Sequence, residues 1–489
     1  MDMDIRKNQL LEVDISDVAY GGKGIVRIEG FAVFVDKAVP GDKVRIAITR
    51  KKKNYAEARI VELLKPSADR ISAPCPHSGV CGGCKWQFLD YGRQLAYKRQ
   101  HVVDSLAHIG LIQDVTVHPT LASELCFGYR NKVEFTCSDS PWRVSKDMPF
   151  SDPGTPFALG FHVPGVFHKV LDIKSCLLQP DTGNLILGDI RRYLQTSDLP
   201  MYCPRTHQGF WRFVMLRHSV AHDHWLVNLI TAAENRSAVQ PLADILTDRY
   251  PQIISVVNNI TAKKAAISVG ENEIRLFGNG HLTDRICGFE FDISANSFFQ
   301  TNSRGAETLY RTVMDYAGLT GTETVFDLYC GTGTIAICLS KAARQVLGFE
   351  IVGAAVSDAE KNCRKNGVSN CTFFRGDIKD RLSEAAQPSD VMIIDPPRDG
   401  MHKSVVQQVL QMQPERIVYV SCNPATLARD LGMMKDVYQV VEVQPVDMFP
   451  HTFHIESVAW LQKKGAGGRC PGAGKEILPS SFIDGRCSC

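Results

Sequence analysis

The chain has almost no excess of charge: 55 Lys and Arg stand against 53 Asp and Glu, a formal net charge of +2. That balance excludes a globally basic coat, so any nucleic-acid surface must be local. Long apolar runs are also missing. No stretch approaches the roughly 18 residues that mark a membrane-spanning helix, and the opening MDMDIRKNQL has no apolar core of a secretory signal. A cytoplasmic location with no membrane partner is expected. Repeats of fixed period are absent too, which excludes solenoids and propellers. Composition is otherwise ordinary, 44% hydrophobic and 22% charged, and the 489 residues suit about three domains as a length-based prior.

Against this scarcity stand 16 cysteines. In a chain without an export signal they should be mostly reduced, which ranks metal binding and catalysis above a disulfide framework. Scattered ones such as Cys126, Cys137 and Cys338 read as small hydrophobes. Cys75, Cys81 and Cys84 do not: they follow the spacing C-x5-C-x2-C, with Gly82 and Gly83 allowing a tight fold about a metal centre. The C-x3-C-x2-C run of radical S-adenosylmethionine enzymes is lacking. Cys176, at the end of VLDIKSC, is the best fourth ligand, and four thiolates suit either zinc or an iron-sulfur cluster.

Residues 8 to 63 alternate Val- and Ile-rich runs with turn signals at Gly21-Gly22, Gly30 and Pro40-Gly41-Asp42. This predicts about five strands in a small barrel. Residues 1 to 65 hold 13 Lys or Arg against 10 Asp or Glu, and Arg50 to Lys53 stand together near Tyr55 as a nucleic-acid contact edge. The segment resembles the TRAM module, an OB-like RNA-binding barrel. Residues 90 to 110 predict an amphipathic helix with Leu95, Val102, Leu106 and Ile109 on one stripe, stopped by Gly110. Runs such as KVEFTCS, FALGFHV, WLVNLIT and QIISVVNNI predict strands in a mixed central region, and residues 138 to 156 a long loop.

After about residue 290, strands alternate with helices, which predicts a doubly wound sheet. Asp327 ends one apolar run before a turn with Gly331 and Gly333, and the next runs deliver Glu350, Asp377 and Asp395. Acids at the carboxyl ends of successive parallel strands make a nucleotide-like pocket, and the short glycine turn favours S-adenosylmethionine over a dinucleotide. The strand IVYVSC then brings Cys422 to the same edge.

The motifs SFFQTN, FDLYCGTGT, DPPRDG, YVSCNPATLARDL and DMFPHTFHIESVAWL, in this order, resemble the RNA uracil-C5 methyltransferase family. With the TRAM-like start and the cysteine cluster they are similar to the branch that acts on 23S ribosomal RNA. The resemblance implies an α/β Rossmann-like methyltransferase domain over residues 291–464, an N-terminal OB-like barrel over 1–65, and a central mixed α+β region over 66–290. It leaves a tail over 465–489 without a counterpart, expected to be disordered; Cys470, Cys487 and Cys489 lie there. It implies a [4Fe-4S] cluster on Cys75, Cys81, Cys84 and Cys176, and S-adenosylmethionine contacts from Gln300, Tyr329, Glu350, Asp377 and Asp395, with Thr334 standing where some relatives carry Asn. Cys422 matches the nucleophile and Glu456 the general base of a monomeric enzyme whose partner is 23S ribosomal RNA.

These residue types suit the chemistry. C5 of uracil is a poor nucleophile until a thiolate adds to C6, the logic of covalent catalysis, and Arg398 is a source of positive charge that would favour the thiolate. A carboxylate must then remove the C5 proton. Because a base in folded RNA must be unstacked to be reached, Phe298 or Phe299 is expected to stack on it. Arg130 and Lys132 offer cations to the RNA. The competing readings are the same reaction on transfer RNA, an amino-group methyltransferase using DPP without a thiol, and a non-catalytic RNA-binding assembly factor.

Overall fold

The computed structural model describes residues 5–142, 157–264, 269–384 and 388–465. Most of the expected loop at 138–156, and the tail beyond Gly465 with its three cysteines, lie outside the described residues. No helix among the described residues is long and apolar enough to cross a membrane.

The N-terminal barrel has six strands, Leu10–Asp14, Asp17–Val18, Gly24–Ile28, Phe31–Asp36, Lys43–Lys51 and Tyr55–Lys65. The sixth, beyond the expected five, is Asp17–Val18, two residues too short to show alternation in sequence. Val33, Val35, Val44, Ile46, Ile48, Ala56 and Ala58 fill the interior at alternate positions. The helix Tyr91–His108 starts at Asp90, whose carboxylate accepts from the Arg93 amide. Its buried face is Gln94, Lys98, His101, Val102 and Leu106, while Ile109 is half exposed. The stripe is therefore rotated from the apolar one the sequence predicts. Its polar members are buried because each is paired: Gln94 donates to the carbonyls of Trp86 and Leu89, His101 meets the carbonyl of Val18, and Lys98 meets Asp447.

A seven-stranded central sheet follows, from Lys132–Ser138 to Asn272–Phe277. Helices Asp181–Gln195 and Arg236–Arg249, which the sequence pattern did not mark, share its core through Ile186, Leu187, Ile190, Val239 and Leu242.

The C-terminal sheet contains β1 (Thr324–Leu328), β2 (Gln345–Glu350), β3 (Cys371–Arg375), β4 (Val391–Ile394), β5 (Arg416–Ser421), β6 (Tyr438–Val446) and β7 (Glu456–Lys463). Their order is β3-β2-β1-β4-β5-β7-β6, and Thr116–Val117 adds an eighth strand at the β6 edge. The first five are parallel, and β7 is antiparallel to β5 and β6. Order reverses on either side of β1, so a crevice opens at the carboxyl ends of β1 and β4, where doubly wound sheets bind ligands.

The turn from β6 to β7 carries a buried ion pair. Lys98 Nζ donates to Asp447 Oδ1 at 2.6 Å and to the Phe449 carbonyl at 3.1 Å, with both charged side chains fully buried. Cutting one partner of such a pair strands the other charge, a loss of about 3–5 kcal/mol. Lys98→Met is therefore expected to lower the unfolding free energy on that scale and to speed amide exchange across residues 447–456. Denaturant melts with hydrogen-exchange mass spectrometry test this; exchange there matching the wild type would contradict it.

Candidate active site

The chain leaving β1 turns through Tyr329, Gly331 and Gly333, all at positive φ (64°, 54° and 76°). A β-carbon on Gly333 would stand 2.8 Å from the Phe373 ring and 2.9 Å from Ala359, so only glycine lets the turn lie this low. Tyr329 adopts the left-handed region without that freedom, a local strain of about 1–3 kcal/mol of the kind concentrated at functional sites. Glu350, closing β2, ties the turn down: its carboxylate accepts from the amides of Gly331 at 3.1 Å and Val352 at 2.8 Å.

Asp395 follows β4, and its amide donates to the Leu328 carbonyl across the reversal point. Cys422 follows β5. The residues after it explain the abrupt end of IVYVSCNP: Asn423 caps the helix Pro424–Met434 by accepting from the Ala425 amide at 3.1 Å, and Pro424 opens that helix. Ser421 pairs with Ser457 in the antiparallel ladder, so the next residue of β5 and the previous residue of β7, Cys422 and Glu456, lie side by side.

One cavity of about 640 Å3 is lined by Gln300, Tyr329, Thr334, Asp395, Cys422 and Glu456, together with Phe298, Phe299, Asp327, Tyr310 and Arg398. Phe298 is 73% exposed and Phe299 is 5% exposed, so only Phe298 presents a free ring face; Phe299 is core. Two expected cofactor residues lie outside the wall. Glu350 acts through the turn it holds. Asp377 caps the helix Ile378–Ser383 by accepting from the Lys379 amide and pairs with the Lys379 ammonium. Thr334 shares a 3.1 Å hydrogen bond with the Tyr310 hydroxyl.

The electrostatics of the wall run against charge. Burial, with Asp395 nearby, holds Glu456 well above the ordinary carboxylate range, and Arg398 opposes this in part. Burial lifts Asp395 to about 7. Burial, then Glu456, pushes the Cys422 thiol up to about 11, with Arg398 pulling the other way. Arg398 thus pulls the thiol in the direction that the sequence reading expects, but among protein groups alone desolvation outweighs it. His454, against the Phe453 ring, is depressed to about 4 by burial and by Arg398, and is neutral.

Asp327, on β1, has no hydrogen-bond partner for either side-chain oxygen; the Ala336 amide is near enough only to temper an upward shift caused by burial and Asp395. A buried carboxyl left without a partner in a cavity wall is a polar group that a bound ligand could satisfy. Sequence reasoning counted Asp327 among the strand-end acids of the pocket but assigned it no contact of its own.

Cys75, Cys81, Cys84 and Cys176 line a second cavity of about 460 Å3, which shares Gly83, Arg130 and Thr301 with the first. Burial raises all four thiols, Cys81 to about 11 and Cys84 to about 12, and the other cysteines of the set add to both shifts. Among the described residues no three His, Cys, Asp or Glu groups converge to hold a single metal ion.

Asp395 gives the site a measurable signature. Its folded value of about 7 lies above its ordinary 3.8, so the stability it contributes is full below about pH 4 and is lost as pH rises toward 7. Without cofactor, Asp395→Asn is expected to gain melting temperature relative to wild type across that interval. Parallel melting curves from pH 4 to 7 would contradict the assignment.

Comparison with known proteins gives consistent findings. Residues 231–464 match the family described as tRNA (uracil-5-)-methyltransferase, and residues 6–61 match the TRAM domain. An uncharacterized RNA methyltransferase of Chlorobaculum tepidum is 42% identical over 94% of this chain and 97% of its own. One from Bacteroides thetaiotaomicron is 41% identical over 91% of this chain and all of its own. The crystal structure of Pyrococcus abyssi tRNA (uracil-54, C5)-methyltransferase with S-adenosyl-L-homocysteine superposes with a TM-score of 0.72 at 28% identity, covering 92% of this chain and all of that one.

Proposed function

The chain belongs to the family of tRNA (uracil-5-)-methyltransferases and their RNA methyltransferase homologues, and from that premise we propose a specific target, mechanism and set of residue roles. The enzyme is an S-adenosylmethionine-dependent RNA uracil-C5 methyltransferase with a TRAM domain. The observation that carries the mechanism is Cys422 beside Glu456 at the floor of the cavity that also holds the glycine turn.

S-adenosylmethionine, when bound, supplies the methyl group and a positive sulfonium. In this reading Gln300, Tyr329, Thr334 and Asp395 hold it from the cavity wall, Glu350 fixes the turn beneath it, and Asp327 answers its positive charge. Asp377 serves at one remove, by fixing the helix beside Tyr329. Cys422, once it has given up its proton, bonds through Sγ to C6 of the uracil, moving the C5–C6 π electrons into an enolate whose C5 takes the methyl group from the sulfonium, leaving a neutral thioether. Glu456 then removes the C5 proton, the electrons re-form C5=C6, and the thiolate leaves; such a base contributes roughly 100- to 10,000-fold. Phe298 stacks on the extruded base.

The proposed division of the chain is an RNA-binding barrel at 1–65, a central region at 66–290 and the catalytic domain at 291–464. The proposed target is a uridine of 23S ribosomal RNA, supported by the combination of TRAM module and cysteine cluster. Transfer RNA is the second reading, favoured by the name of the Pyrococcus abyssi protein. Mass mapping of 5-methyluridine in both RNAs from a deletion strain separates the two.

In the same reading Cys75, Cys81, Cys84 and Cys176, which line one cavity, hold a [4Fe-4S] cluster; the support for this is the C-x5-C-x2-C spacing and the family resemblance. Anaerobically purified protein is expected to be brown and to contain about four irons; stoichiometric zinc without iron would contradict this.

Cys422→Ala is expected to abolish methylation and any covalent RNA adduct while retaining S-adenosylmethionine binding. Glu456→Gln keeps the shape but not the base, so a methylated, cross-linked RNA should accumulate on denaturing gels. An active Cys422→Ala enzyme would remove the nucleophile assignment, and normal turnover by Glu456→Gln would remove the base.

A further inference from the structure

The barrel, expected from the sequence to bind RNA, also touches the backbone of the nucleophile. Its turn between Val18 and Gly24 is bound on both sides to the rest of the chain. The ring of His101 meets the Val18 carbonyl at 2.9 Å, and the Trp86 indole donates to the Gly22 carbonyl at 3.4 Å. Gly22, at φ +88°, leaves no room for a side chain: a β-carbon would stand 3.1 Å from Lys85 and 3.2 Å from Trp86.

Tyr20 stands at the tip of this turn. Its hydroxyl donates a long hydrogen bond of 3.4 Å to the backbone carbonyl of Cys422. Its ring meets Phe453 edge-on at 5.3 Å and His101 edge-on at 5.9 Å. Phe453 lies three residues before Glu456, so one side chain contacts both the nucleophile and the segment that leads to the base. Burial, then the nearby Cys422, holds the phenol up to about 12, so it remains a neutral donor at working pH. Yet Tyr20 is 40% exposed, and it contacts Cys422, which lines the cavity.

We propose that Tyr20 is a positioning residue which the barrel lends to the active site, its hydroxyl holding the Cys422 backbone and its ring, with Phe453, forming a ledge for the nucleotide that flanks the target uridine. The ledge rests on the uridine-methylation reading given above; the hold on Cys422 does not. RNA engaged by the barrel would thereby be coupled to the geometry of the thiol. Aromatic rings serve such a ledge because every base has a π face, so stacking tolerates sequence while fixing position.

The test uses full-length protein and two variants that melt like the wild type. Tyr20→Phe keeps the ring and loses the hydroxyl. It is expected to change the rate at which iodoacetamide alkylates Cys422 in the free enzyme, read by peptide mass spectrometry. It should also lower kcat about 3- to 10-fold, the scale of one neutral hydrogen bond, with KM for RNA unchanged. Tyr20→Ala is expected in addition to raise KM for RNA about tenfold, within the range of one base–aromatic stack, and to leave KM for S-adenosylmethionine alone. A Tyr20→Phe enzyme with wild-type kcat and alkylation overturns the hold on Cys422. Equal KM for RNA in the two variants overturns the ledge. If the wild type methylates no uridine, the functional reading falls, and the alkylation rate still judges Tyr20.

Discussion

A single buried ion pair, Lys98 with Asp447 at 2.6 Å, fixes the segment on which the rest of the site depends. Asp447 opens the turn between β6 and β7, and its carboxylate also accepts from the Phe449 amide and from the Tyr91 hydroxyl. A few residues on, the His451 carbonyl accepts from the amides of Lys85 and Trp86, directly after Cys84. Phe453 meets the barrel at Tyr20. The same segment then delivers Glu456 to the side of Cys422. Barrel, cysteine loop and catalytic sheet thus converge on about ten residues, and the burial cost of the ion pair is offset by the hydrogen bonds around it.

The catalytic cavity is built of acids that would not choose to be ionised by themselves. Asp327, Asp395 and Glu456 are all raised by desolvation, and each of the first and last is raised further by Asp395. Arg398 is the cation that opposes the shifts of both Glu456 and Cys422. Such a wall gains most from a ligand that carries positive charge, because pairing relieves the desolvation that each carboxylate pays. A sulfonium cofactor has that charge, and the same charge would favour the thiolate of Cys422 that the protein groups alone disfavour.

Much of this was legible in the sequence because periodicity and strand ends report backbone facts. Alternation gave the barrel, and the acids that close successive apolar runs marked the carboxyl edge of a parallel sheet. Cys422 and Glu456 were legible as motif members, and the antiparallel ladder through Ser421 and Ser457 explains why they meet. What pattern could not show was pairing across distance. The buried face of the helix Tyr91–His108 is polar because its partners lie up to some 350 residues away, as Lys98 and Asp447 do. Asp377, expected from its place at a strand end to meet the cofactor, also caps the helix Ile378–Ser383, a local role that strand-end position alone does not reveal. Tyr20 gave no signal, since an aromatic beside Gly21-Gly22 reads as an ordinary turn residue.

The covalent step at Cys422 is the part of the mechanism most directly open to measurement. RNA carrying 5-fluorouridine at the target position presents a C5 substituent that a carboxylate cannot remove as a proton, so the bond from Sγ to C6 should persist after methyl transfer. Intact-mass measurement of the full-length protein with this RNA and S-adenosylmethionine should show a one-to-one adduct whose digest places the RNA on the peptide containing Cys422. Formation of 5-methyluridine in ordinary RNA without any such adduct, or an adduct on another residue, would contradict it.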